Sequence, residues 1–90
     1  MTTSFESFCE QNQVQYLGLS QHVFMLIKHA WRSTHVAIVN RTRKQFEVCC
    51  VHIKFNTLHS FKSFSELNDE SSVLSVLNAH FGEGEMMAID

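Results

Sequence analysis

Thr34-His35-Val36-Ala37-Ile38-Val39, then Asn40-Arg41-Thr42-Arg43-Lys44-Gln45, then Phe46-Glu47-Val48-Cys49-Cys50-Val51-His52-Ile53-Lys54-Phe55: two runs rich in β-branched and aromatic residues flank a polar segment. That pattern predicts a β-hairpin. A four-residue loop over residues 41–44 pairs Asn40 with Gln45, and therefore Val39 with Phe46, Ala37 with Val48 and His35 with Cys50. Because side chains alternate across a strand, one face then carries His35, Ala37, Val39, Phe46, Val48, Cys50 and His52. The other carries Val36, Ile38, Glu47, Cys49, Val51, Ile53 and Phe55. Both faces are largely apolar, so the sheet is expected to be covered on both sides, by helices or by a second subunit.

Working towards the amino terminus, residues 20–32 are ambiguous. Val23, Leu26, Ile27, Ala30 and Trp31 recur at helical spacing behind Ser20, a good N-cap, and predict a helix; the alternation of Val23, Met25, Ile27 and His29 fits a strand instead. The helix is preferred because no residue in the segment breaks one. Val14 to Leu17 reads as a brief strand closed by Gly18. Thr3-Ser4-Phe5-Glu6 fits a capping box, and Phe5, Phe8 and Cys9 share one face of a short helix over residues 4–12.

Towards the carboxyl terminus, residues 56–62 read as a loop or short edge strand. Ser63-Phe64-Ser65-Glu66 reads as a second capping box opening a turn. Leu74, Leu77 and Phe81 define a helix from about 69 to 81, started by Asp69 and Glu70 and stopped by Gly82. The expected architecture is α+β: a small antiparallel sheet centred on hairpin 34–55 with two or three helices packed against it. Residues 1–82 form one domain, and residues 83–90 are expected to be a flexible tail.

Composition narrows the function. Ninety residues, 44% of them hydrophobic and 18% charged, with eight Phe and no Pro, suit one folded domain rather than disorder. Residues 1–54 hold six Lys/Arg against three Glu, and residues 55–90 one Lys against six acids, so the halves are oppositely charged. Three cysteines, two of them adjacent, make no disulfide framework. The start of the chain lacks a basic region followed by an apolar run. The longest apolar run, Val23–Met25 continuing to Ile27, falls far short of the roughly 20 residues needed to span a bilayer. A reduced, cytoplasmic setting without membrane attachment is the expectation.

Six His and three Cys invite a test for metal. Cys50-x-His52 is one ligand-like pair, with His35 opposite and His59 nearby, but no second recognisable pair exists, so no metal or other cofactor is expected; if a site were present, His35, Cys50, His52 and His59 would form it. Cys50 beside His35 is half of a thiol enzyme's machinery, and nothing supplies the remainder. No phosphate loop or nucleophile elbow is found, so an enzyme is not expected.

Two binding readings remain. The hairpin tip concentrates Arg41, Arg43 and Lys44, three of the seven cationic side chains, with Lys28, Arg32 and Lys54 expected nearby. A basic prong suits nucleic acid, although the chain is net acidic. The preferred reading is a homodimeric protein-interaction module that occludes or bridges an acidic or apolar macromolecular surface. Arg41, Arg43 and Lys44 steer the partner, and Trp31 and Phe24 anchor it, since aromatic and Arg side chains favour interface centres.

Overall fold

The computed structural model describes residues 4–89, with side chains described through residue 82. Two helices flank five strands in chain order: α1 (Ser4–Asn12), β1 (Gln15–Gly18), β2 (Val23–Ala30), β3 (Ser33–Arg41), β4 (Phe46–Lys54), β5 (Thr57–Leu67) and α2 (Glu70–Ile89). The strands form one antiparallel meander in the order β1-β2-β3-β4-β5, an α+β architecture.

The central hairpin is present with a different register. Arg41 pairs with Phe46, Val39 with Val48, Ala37 with Cys50 and His35 with His52, a slip of two residues from the expected pairing. The loop chemistry explains it. Thr42 N–H donates to the Gln45 carbonyl at 2.8 Å, Thr42 Oγ1 donates to the same carbonyl at 2.7 Å, and Gln45 N–H donates to Thr42 Oγ1 at 3.2 Å. The loop is therefore residues 42–45. A two-residue slip preserves the strand period, so the facing assignment survives: His35, Ala37, Val39, Phe46, Val48, Cys50 and His52 are all buried.

Residues 23–30 are a strand, not the expected helix. Phe24 and Leu26 point to the buried face while Val23, Met25 and Ile27 point to the other. A helix would have left part of that all-round apolar surface in water. Ser20 keeps its capping chemistry in a turn: its Oγ accepts from Val23 N–H at 3.2 Å and His22 N–H at 3.3 Å. Residues 57–67 are one long edge strand, so the edge-strand alternative for 56–62 holds, and the strand runs on through the expected capping-box turn at 63–66. Two irregularities in its pairing with β4, together with Glu66 at φ 64°, locate the extra residues of β-bulges.

At the chain's ends, α1 has the expected bounds, although the Thr3 of its capping box lies outside the described residues. Gln13 adopts φ 57°, and Val14 N–H returns to the Cys9 carbonyl at 2.8 Å, a left-handed helix stop. Asp69 caps α2 through its Oδ1, which accepts from Ser72 N–H at 2.8 Å. The expected stop at Gly82 does not occur, and the helix continues to Ile89. Residue 90 of the expected tail lies outside the described residues.

Both helices pack on the same face of the sheet. Phe5, Phe8 and Cys9 of α1 and Val73, Leu77 and Phe81 of α2 join Phe24, Leu26, Val39, Phe46 and Val48 in one core. Phe5 sits 5.0 Å from Phe24 and 6.0 Å from Phe46 between ring centroids, and Phe8 sits 6.1 Å from Phe81.

Candidate functional site

Because α1 and α2 share one side, the opposite side of the sheet carries no covering element among the described residues. Strand alternation presents there Leu17 from β1, Met25 and Ile27 from β2, Val36 and Ile38 from β3, and Val51 and Ile53 from β4. On β5, Phe61 stands opposite Val51 and is exposed. Cys49 lies in the middle, beside Ile38 and Ser63. The polar groups on this face are Gln15 and Ser63 on the two outer strands, Glu47 and Asn40 near the 42–45 loop, joined at 3.4 Å, and His29 and Thr34 near the other end, 3.2 Å apart. Five strands at about 4.8 Å spacing and about eight residues at roughly 3.3 Å give a footprint on the order of 600 Å². A one-sided antiparallel sheet normally alternates apolar and polar residues. This sheet is apolar on both faces.

The basic tip lies at one end of the meander. Arg41 is tied back to Glu70 at the start of α2, 3.6 Å away with both side chains about half exposed, and it stacks over Phe46 at 5.3 Å. Arg43 and Lys44 are exposed. Lys28, Arg32 and Lys54, expected beside this tip, instead lie towards the opposite end, where the β2–β3 and β4–β5 turns meet. Phe55 N–H donates to the Arg32 carbonyl at 3.0 Å, bonding the two turns together. Trp31 is 78% exposed there and Phe55 56%. The Arg32 guanidinium lies 4.5 Å from the Trp31 ring and 5.6 Å from the Phe55 ring. Phe55 takes φ 53°, a costly conformation for a bulky residue. Trp31 thus belongs to an exposed aromatic–cationic patch. Phe24 belongs to the core at 8% exposure, packed between Phe5 and Tyr16; its bulk is directed inward, and its neighbour Met25 faces out.

The imidazoles converge on the helix-covered face. His35 and His52 are 3% and 5% exposed and stack at 3.9 Å with planes 22° apart. His80 from α2 stands 5.1 Å from His35, and His59 stands 4.9 Å from His52. Ser33 Oγ lies 2.8 Å from His52 Nε2, and His80 Nε2 donates to the Val36 carbonyl at 3.1 Å. Burial, then the neighbouring His52, His80 and Lys28, pulls the His35 pKa down to about 4. Burial also lowers that of His52, with His59 and Lys54 adding to it. Cys50 borders the same pocket, and burial pushes its thiol up to about 11.

This arrangement bears on two sequence expectations. The structure gathers His35, Cys50 and His52 as anticipated and adds His80 from α2, which the sequence reading had not singled out. Among the described residues no three His, Cys, Asp or Glu groups are placed to hold a metal ion. The expected His35–Cys50 cross-strand pair is replaced by His35–His52, and a thiol held protonated is a poor nucleophile.

These features define a class: a five-stranded antiparallel meander with both helices on one face and an apolar, open second face. No family model matches the chain, and no curated protein or solved structure matches it either. No helix among the described residues is long and apolar enough to cross a membrane.

Proposed function

We propose that this chain is a non-enzymatic protein-interaction module that self-associates face to face through the open side of its sheet. The observation that carries this reading is the apolar surface spread over all five strands, from Leu17 through Met25, Val36 and Val51 to Phe61. Burying apolar area is worth about 25 cal/mol per Å² before association costs, and a stable interface needs about 800 Å² per partner. The strand face, on the order of 600 Å², approaches that area. A second copy is the occupant favoured here because the centre of the face is uncharged and needs no complementary charge from a different partner. In the resulting dimer the 42–45 tip and the Trp31–Phe55 patch stay at the ends of each sheet, free to meet an acidic or apolar macromolecule.

Sedimentation velocity over a concentration series tests this. The wild-type chain is expected to sediment as a dimer. Val51→Glu, which places a charge at the centre of the face without entering the core, is expected to sediment as a monomer with an unchanged circular dichroism spectrum. A wild type that remains monomeric at the highest attainable concentration would sink the proposal. Nucleic-acid binding by the tip is the weaker reading, since Arg41 is committed to Glu70 and the remaining cationic footprint is small.

A further inference from the structure

A cleft opens between α2 and strands β4 and β5, on the helix-covered side of the sheet, and it has two chemically distinct parts. The wider part, about 280 Å³, is walled by Phe64 and Cys50 from the sheet and by Val76 and Ala79 from the helix. The narrower part, about 40 Å³, is ringed by His35, His52, Ser60, Lys62 and His80. Cys50, Lys62 and His80 line both, so the two adjoin.

We propose that this cleft is a binding site for a small amphipathic anion, a carboxylate on a short hydrocarbon chain, with its head at Lys62 and the imidazoles and its tail along Phe64, Val76 and Ala79. Small-ligand sites pair an apolar wall with a few convergent polar groups, and their volumes run from roughly 300 to 1,000 Å³. A wider part of about 280 Å³, just below that range, selects a short chain.

The charge of the head follows from what surrounds the narrow end. His35 comes from β3, His52 from β4, Lys62 from β5 and His80 from α2; further out, Lys28 of β2 acts on His35, and His59 and Lys54 act on His52. No carboxylate lines either part among the described residues. Buried imidazoles among cations resist protonation, as the low pKa of His35 shows. An anion reverses that balance: it accepts a hydrogen bond from Lys62 and favours the charged form of the imidazole beside it. Binding should therefore take up a proton and strengthen as pH falls through the imidazole range. The site lies on the opposite side of the sheet from the self-association face, so either can fail without the other.

The test titrates the full-length protein with sodium octanoate, monitoring histidine ring resonances by NMR, with octanol and inorganic phosphate as comparison probes. Octanoate is expected to shift the rings of His35, His52 and His80 saturably, more tightly below the imidazole range than above it. Lys62→Met, which keeps the side-chain stem on an exposed position, should weaken binding about tenfold, the loss of one charge-assisted hydrogen bond. Ala79→Phe should block the tail and abolish octanoate binding while helicity is retained. Absence of a saturable shift overturns the proposal. So does binding of octanol equal to octanoate (an apolar crevice alone), binding of phosphate equal to octanoate (an anion site without a tail), or a Lys62→Met protein that binds octanoate as well as the wild type.

Discussion

At the residue scale, the buried His35–His52 stack makes folding pH-dependent. The ordinary imidazole value is 6.5, and His35 in the folded chain is near 4. Between those values the unfolded chain binds a proton that the folded chain refuses, so folding is progressively disfavoured as pH falls. The contribution of His35 is intact above 6.5, declines below it, and is gone below about 4; His52 acts in the same direction. A shift of this size corresponds to about 3 kcal/mol, which solvent screening near the cleft reduces to the order of 1–2 kcal/mol. Urea midpoints measured downward from neutral pH should therefore fall before the carboxylates titrate, and His35→Phe, which keeps a flat ring in the stack, should flatten that part of the profile. A wild-type midpoint that does not change across this range would remove the stack as the cause. The sequence placed these rings on one face because strand parity is robust to a two-residue slip. It did not pair them, because the register depends on the hydrogen bonds of Thr42, which alternation does not encode.

At the element scale, the two helices were legible because their stripes are one-sided: Phe5, Phe8 and Cys9, and Leu77 with Phe81, meet a single surface. Residues 23–30 were misread because their apolar residues satisfy both periods at once, which is what a strand with two apolar faces produces. β5 was read only as a loop or short edge strand followed by a turn because its bulges interrupt the alternation on which a strand reading relies, and α2 overran Gly82 because glycine weakens a helix without ending it. The dependence of the fold on α2 is directly measurable. Leu77 is fully buried against the sheet in the common core, and truncating it leaves a cavity between layers. Leu77→Ala should cost about 3 kcal/mol in urea denaturation, within the range for buried leucines. A loss below about 1 kcal/mol would mean that α2 contributes little to the sheet's stability.

At the scale of the whole molecule, the meander puts its helices on one side and its unpaired apolar surface on the other, and the three cysteines report on that division. Cys9 and Cys50 are buried in the core, while Cys49 is partly accessible at the centre of the open face. Burial raises the Cys9 and Cys50 thiols to about 11, so both disfavour the reactive thiolate and are shielded sterically as well. In a dilute solution of folded protein, a small alkylating agent should modify Cys49 first and leave the other two until the chain unfolds. Face-to-face association covers Cys49 and leaves the surroundings of Cys9 and Cys50 unchanged. The Cys49 rate should consequently fall with rising protein concentration, in step with the dimer fraction, and Val51→Glu should restore the dilute rate at every concentration. Mass mapping of the alkylated chain separates the three sites. If Cys49 reacts at one rate throughout while the sedimenting mass doubles, the chains meet through another surface, and the Trp31–Phe55 end becomes the place to look.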